Sequence, residues 1–290
     1  MDDAALKIER PHLGRAVLRP IHHRHLCHGF DLTLQRRRCE KHFHFGWKSF
    51  IHHARLTAMK YYKTDSRKIS FREYWHISRG TGFLIGWFNK ALGIPMNFIK
   101  GIPEPQAFRE KIIEAETVPS KILTKLNSSV LDLKQIGFDQ FWYYTSKNSL
   151  TEGAAYGVQA LHSSQKTIGK IVFASFRSRE SLALVFVSEL NDGTFSGTTN
   201  NRRQFNPPPG YIVSRQARAS AAELWELHQN KLAKLSRDNN PPKTIGNLDQ
   251  VVEFENKTSR MFFEDKVARG IWVEMTDSEV EAMRSKLFTP

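Results

Sequence analysis

From Phe138 onward the chain contains short runs of side chains that repeat with a period of two, and this pattern limits the folds open to it. Aromatic and β-branched residues, which favour strands, dominate the four runs FWYY (141–144), AAYGVQAL (154–161), IGKIVFASF (168–176) and SLALVFVSEL (181–190). The turns between them are short, which favours antiparallel pairing of consecutive strands. Asp192 and Gly193 are a strong hairpin signal, so we expect TFSGT (194–198) to pair back on the preceding strand. SLALVFVSEL is apolar on both sides, which predicts a central position.

Helical patterns flank these strands on both sides. Ser120 suits the N-cap of a helix that ends near Gly137, and Ser220 with Glu223 has the spacing of a capping box. We expect the helices at 120–136 and 219–235 to cover the sheet. The sequence therefore predicts an α+β fold with an antiparallel sheet of about five strands.

A helical segment is expected over residues 59–116. Ser70 and Glu73 form a capping box for one helix, and a second helix begins near Gly82. The second helix carries a wide apolar stripe, made of Phe83, Leu84, Trp87, Phe88, Ala91 and Leu92. We expect the stripe to dock on the sheet. The alternative is a membrane interface, with basic residues meeting anionic headgroups, namely Arg72, Arg79, Lys90 and Lys100.

Residues 1–58 differ in composition from the rest. They hold 11 Lys and Arg against 5 Asp and Glu, with nine of the 12 His and both Cys. No apolar period runs through them, so we expect a basic, poorly ordered leader. The other predicted domains are the helical segment 59–116, an α+β core at 117–238 and a C-terminal helical extension at 239–290. No typical zinc spacing joins His25, Cys27, Cys39 and His42, and neither a metal site nor a cofactor is predicted.

Localisation signals are few. The chain shows no secretory signal and no apolar run near 20 residues, and the absence of Cys after residue 58 fits a reducing compartment. We expect a cytoplasmic protein and leave association with a membrane open.

Catalytic motifs are also missing from the sequence. It contains no phosphate-cradle, nucleophile-elbow or zincin motif, and no residue is predicted to be catalytic. Outside the leader, His162 and His228 are candidate imidazole bases for a small hydrolase-like enzyme, which is the alternative function. His228 lies on the apolar stripe of its helix, where a structural histidine is the more common case.

The candidate binding site is the polar loop after the last predicted strand, NDGTFSGTTNNRRQFNPPPG (191–210). Turn chemistry explains its Gly, Thr and Asn residues, and this structural interpretation is favoured. The functional interpretation makes Arg202 and Arg203 donors to an anion, beside Thr198, Thr199, Asn200 and Asn201.

With a net charge of +14, the function expected from this loop is a non-catalytic binding or interaction domain. Its partner would be an anionic small molecule or a lipid headgroup, with the domain peripheral to a membrane in the second case. Nucleic acid is not favoured, because the strands carry no RNP-like motif and no lysine stripe.

Overall fold

The alternating runs form strands in the computed structural model, which describes residues 59–77, 81–94, 99–147, 154–176, 179–201 and 205–288. The strands are β1 (Tyr61–Thr64), β2 (Lys100–Pro103), β3 (Ile112–Ile113), β4 (Phe138–Lys147), β5 (Ala154–His162), β6 (Ile168–Phe176), β7 (Arg179–Glu189), β8 (Phe195–Thr199), β9 (Tyr211–Arg215) and β10 (Trp272–Glu274). The α-helices are α1 (Phe71–Ile77), α2 (Thr81–Ala91), α3 (Ser120–Gln135), α4 (Ala221–Arg237), α5 (Leu248–Ala268) and α6 (Asp277–Phe288).

The main sheet has seven strands in the order β3-β4-β5-β6-β7-β8-β9. The α+β class is confirmed, and β7 is an interior strand as predicted. The expectation of about five antiparallel strands is wrong, because β3 adds two residues at one edge and β9 pairs parallel to β8 at the other. In this last pair, the first residue of β8, Phe195, lies opposite the first residue of β9, Tyr211. Because the two strands are parallel, the connection between them must return from the end of β8 to the level of its start.

Helices cover both faces of the main sheet. On one face, α3 and α4 bury a cluster that includes Leu126, Leu133 and Leu224, as the period of 3.6 predicted. On the other face, α5 packs Val251 and Phe254 against strand residues. The sequence predicted a helical extension at 239–290 but not that one of its helices, α5, covers the sheet.

A second sheet of three strands has the order β10-β1-β2. It joins the two ends of the described chain, since Tyr62 lies opposite Glu274 in the register. The segment 59–116 therefore contains three strands as well as helices, and the C-terminal extension contains one. Residues 58–290 form one compact unit, and the finer division into 59–116, 117–238 and 239–290 stays a prediction.

The helices α1 and α2 form a small pair beside the three-stranded sheet. The predicted capping box is present, with the Ser70 hydroxyl accepting from the Glu73 amide and donating to its carboxylate. Only Phe83 of the apolar stripe on α2 is buried. Four large side chains of the stripe are exposed to solvent, namely Leu84, Trp87, Phe88 and Leu92. Docking of the whole stripe on the sheet is therefore wrong, because the helix packs through Phe83 and Gly86 instead. Within the described ranges, no helix has both the length and the apolarity to cross a bilayer.

Candidate functional site

The two threonines of the predicted loop site, Thr198 and Thr199, belong to β8 and are buried. Thr198 has its hydroxyl 3.1 Å from Nδ1 of His228. Thr199 donates its hydroxyl to the Leu184 carbonyl at 2.8 Å. Successive strand residues point to opposite faces, so Thr198 faces α4 whereas Thr199 faces the α5 side of the sheet.

The asparagines that follow also bind the protein itself. The side-chain oxygen of Asn200 accepts from the backbone N–H of Leu184 at 2.8 Å, and the backbone N–H of Asn201 donates to the Thr199 hydroxyl at 3.1 Å. These bonds close the end of β8, as the structural interpretation of the loop requires. Arg202 and Arg203 lie outside the described residues, so the anion-binding role of this loop stays a prediction.

His228, one candidate base, is enclosed by hydroxyl groups. Its ring nitrogens lie 3.1 Å from Thr198 and 3.1 Å from Ser188, whose hydroxyl is 2.9 Å from Thr167. Burial and, to a smaller extent, the positive charge of the nearby Lys231 lower the pKa of His228 to about 3. The imidazole is therefore neutral at pH 7, with one nitrogen donating and the other accepting.

His162, the second candidate base, caps backbone groups near Gly137. Nε2 donates to the Ile136 carbonyl at 3.1 Å, so Nδ1 is the acceptor for the Ser164 amide at 3.0 Å. The ring stacks on Trp225 with centroids 4.5 Å apart, and burial lowers its pKa. No carboxylate hydrogen-bonds to either imidazole within the described residues, so the hydrolase alternative stays a prediction without support from this geometry.

A cavity of about 360 Å³ lies on the other face of the main sheet, beneath α5. Its walls are mainly apolar and include Val185, Phe205, Tyr211, Val213, Phe262 and Trp272. Thr199, the one residue of the predicted loop site among its lining side chains, forms part of the floor.

Strand register sets the floor of this cavity. Lys170 lies opposite Val185, and Val185 opposite Thr199, so the three form one row across β6, β7 and β8. Gly197 lies two residues before Thr199 on the same face. A Cβ at Gly197 would stand 2.9 Å from the Tyr211 ring, so glycine leaves the space that this ring occupies.

Lys170, in the lining of the cavity, belongs to a partly buried ionic cluster. Glu255 on α5 accepts from the Lys170 ammonium and, at 2.9 Å, from the Gln159 amide. Burial by itself raises the pKa of Glu255, but Lys170, Gln159 and the positive charge of Lys111 outweigh it, and the pKa is lowered. The carboxylate is thus ionised and faces two lysines, which leaves a positive balance here.

The lining of the cavity also includes a second lysine and an indole. Lys266 is 2% exposed, and its ammonium donates to Asp265 at 2.5 Å and to the Asn206 carbonyl at 3.0 Å. Trp272 lines the same space. Its indole N–H is buried and has no hydrogen-bond partner among the described residues. An unsatisfied buried donor of this kind is costly.

A second cavity of about 300 Å³ is polar rather than apolar. Its central carboxylate, Glu189, accepts from Lys243 at 2.8 Å and from Lys257 at 2.7 Å. Glu253 also lines this cavity, so two carboxylates balance the two lysines, and the cavity offers less to an anionic ligand than the one beneath α5.

Sequence reasoning missed the cavity residues, although one signal was present. Lys170 is a charged residue inside the apolar run IGKIVFASF, and such a residue marks an unusual environment for a strand. Lys266 and Trp272 carried no comparable signal, because their position depends on how α5 packs.

Neither a protein-family model, nor a curated protein, nor a solved structure matches this chain. The described residues contain no group of three His, Cys, Asp or Glu side chains suited to a metal ion. His25, Cys27, Cys39 and His42 lie outside the described residues.

Proposed function

We propose that this chain is a non-catalytic binding domain that holds an apolar molecule with one anionic group in the cavity beneath α5. The observation that carries the proposal is the combination of apolar walls with two lysines, Lys170 and Lys266, in the lining of one cavity. Ligand sites in proteins are typically clefts of about 300–1,000 Å³ with apolar walls and a few polar groups, and a cavity of about 360 Å³ falls in that range.

The lysines support an anion over a neutral ligand. An ammonium group has three hydrogens to donate. Lys170 donates to one side-chain oxygen, and Lys266 donates to two oxygens. A carboxylate can accept from these remaining hydrogens in a charge-assisted bond, which is stronger than a bond between neutral groups. At roughly 30 Å³ for each water-sized unit, the cavity has room for about a dozen non-hydrogen atoms.

Ligand size and charge therefore define the test. Decanoate and 2-naphthoate would be compared with decanol and 2-naphthol, by thermal shift and by calorimetric titration of the full chain. We expect the carboxylates to raise Tm and the alcohols to do so less, because a ligand that binds only the folded state stabilises it by mass action.

A matched pair of variants on β9 locates the binding. Val213→Phe fills the cavity, whereas Ile212→Phe places the same ring on the neighbouring residue, which is 49% exposed and points to the other face. We expect Val213→Phe to abolish the carboxylate-dependent shift and Ile212→Phe to keep it. Equal binding by both variants, or no binding by wild type, would contradict the proposal.

Trp272→Phe tests whether the indole N–H takes part in binding. The substitution keeps an aromatic wall and removes the unpartnered N–H, so we expect a severalfold loss of affinity for the carboxylate and little change for the alcohol. An unchanged ratio of the two affinities would show that the indole does not bind the anionic group.

Arg202 and Arg203 remain part of the proposal as further anion donors. They follow Thr199, a cavity-lining residue, by three and four positions. We expect the double variant Arg202→Ala/Arg203→Ala to weaken association with the anionic ligand in a salt-dependent way. Association that is the same with and without these two side chains would remove the loop from the site.

A further inference from the structure

The helix pair α1–α2 presents a large apolar surface to solvent. On α2 and directly after it, five side chains are 48 to 61% exposed: Leu84, Ile85, Trp87, Phe88 and Leu92. On α1, Phe71 is 54% and Trp75 48% exposed. At 100° per residue the five on α2 span an arc of about 160°. We call these seven side chains the apolar face.

The apolar face is held in place from behind. Phe83 is buried, and its ring meets Phe71 at 5.0 Å and Trp75 at 4.7 Å in edge contacts. Gly86 accommodates the Tyr74 ring, whose hydroxyl would overlap any Cβ at that position. The side of α2 that carries Phe83 and Gly86 therefore packs against α1, and the opposite side of the helix faces solvent.

Basic residues are frequent in the part of the sequence that carries the apolar face. Between residues 66 and 103 the sequence has six Lys and Arg, with Glu73 as the one acid. Glu73 is 0% exposed and binds Arg269 and the Asn206 amide, so it adds no negative charge to the surface. Arg72 and Lys100 are exposed, while Arg79 lies outside the described residues.

Exposed tryptophans beside basic side chains match the interface of an anionic bilayer. In such an interface an amphipathic helix lies flat, its apolar side chains reach the acyl boundary and its lysines and arginines meet the headgroups. Tryptophan is enriched at this depth because its ring is apolar and its N–H is polar. We infer that the apolar face docks on an anionic membrane surface, with α1 and α2 parallel to it.

A second copy of the chain is a poorer occupant of the apolar face. A symmetric dimer places the same patch on both sides of the interface, so the basic residues around the patch would face one another. Like charges brought together across an interface disfavour association. Anionic lipid satisfies the apolar area and the charge at once.

The apolar face and the cavity beneath α5 share structural support. Phe205 and Trp272 line the cavity and also pack against the cluster of Ile69, Tyr74 and Phe83 behind the apolar face. Docking on a membrane would therefore hold the cavity near lipid. The membrane inference itself does not depend on what the cavity binds.

Vesicle co-sedimentation of the full chain tests the inference. Vesicles of phosphatidylcholine alone are compared with vesicles that contain about 30% phosphatidylglycerol, at low and high salt. We expect binding to the anionic vesicles alone, decreasing as salt screens the basic residues. The double variant Leu84→Glu/Phe88→Glu is expected to bind at least tenfold less.

The matched control carries the same charge change elsewhere. Leu131 on α3 and Leu182 on β7 are 60% and 45% exposed, so Leu131→Glu/Leu182→Glu adds the same two charges at two other exposed apolar positions. We expect this control to bind as wild type does. If the α2 variant also binds as wild type does, another basic part of the chain is responsible and the inference is wrong.

Two further measurements, of tryptophan quenching by lipid and of protein mass in solution, separate membrane docking from self-association. Vesicles with brominated acyl chains should quench tryptophan fluorescence in wild type and much less in Trp75→Phe/Trp87→Phe, which leaves the backbone and the charge unchanged.

Light scattering gives the mass of wild type and of the α2 variant. A wild-type dimer that Leu84→Glu/Phe88→Glu dissociates would show that a second copy covers the apolar face, and would overturn the inference. Val213→Phe should leave vesicle binding unchanged, which separates this test from that of the ligand.

Discussion

Lowering the pH from 7 to 5 is expected to remove about 2 kcal/mol of folding stability through His228. This side chain is 0% exposed, and burial lowers its pKa from 6.5 to about 3. Above pH 6.5 the imidazole is neutral in both the folded and the unfolded chain, so it contributes no pH dependence. Below pH 6.5 the unfolded chain binds a proton that the folded protein does not. Stability therefore falls as the pH drops from 6.5 towards 3.

The magnitude follows from the interval between the two pKa values. One unit corresponds to about 1.4 kcal/mol, and pH 5 lies about 1.5 units below the unfolded pKa, which gives about 2 kcal/mol. Denaturant unfolding at pH 7 and pH 5 would measure it in wild type and in His228→Gln. The amide of glutamine can still donate and accept near Ser188 and Thr198, but it cannot titrate. We expect the loss of stability between the two pH values to be smaller by about 2 kcal/mol in the variant.

The same experiment bears on the hydrolase alternative. A general base works best when its pKa lies near the working pH, and an imidazole with a pKa of about 3 is a weak base at neutral pH. If wild type and His228→Gln lose the same stability, His228 takes up its proton inside the folded protein and the reasoning from burial is refuted. Titration of the His228 ring itself near pH 6.5, followed by NMR, would identify that outcome directly.

Two further predictions concern packing. Leu133 is 0% exposed and Leu131, two positions earlier on the same helix, is 60% exposed, so Leu133→Ala should cost about 2–5 kcal/mol of unfolding free energy and Leu131→Ala less than about 0.5. Chemical denaturation of both variants checks this, and similar losses would show that α3 is not oriented as described. Gly86→Ala should lower stability by about 1–3 kcal/mol, since its Cβ would overlap the Tyr74 hydroxyl, and an unchanged Tm would show that α1 and α2 do not pack this closely.

Local chemistry determined the elements that the sequence predicted well. The period of two in 138–198 reflects side chains that alternate between the faces of a sheet, and β4 to β8 lie within a few residues of the predicted runs. The capping boxes that begin at Ser70 and Ser220 are formed as predicted, because their bonds join residues three positions apart. Each of these features depends on neighbours in the chain, so it can be recognised without the tertiary structure.

Long-range pairing decided the rest of the fold. The two-residue β3 is too short to show a period, and β1 and β10 meet across more than 200 positions, with Tyr62 opposite Glu274. The parallel pairing of β9 depends on where the chain returns after its proline-rich connection. Short strands of this kind are stabilised by their partners, and a single sequence does not show which partners meet.

The sequence by itself determined the α+β class, the meander, the capping boxes at Ser70 and Ser220, and the presence of an apolar stripe in a basic part of the chain. Only the tertiary structure decided that most of this stripe faces solvent and that Lys170 and Lys266, 96 positions apart, line one cavity. The physical reason is that periodicity reports which side chains share a face. Whether another element covers that face, and what space is left between them, depends on packing between parts of the chain that are distant in sequence.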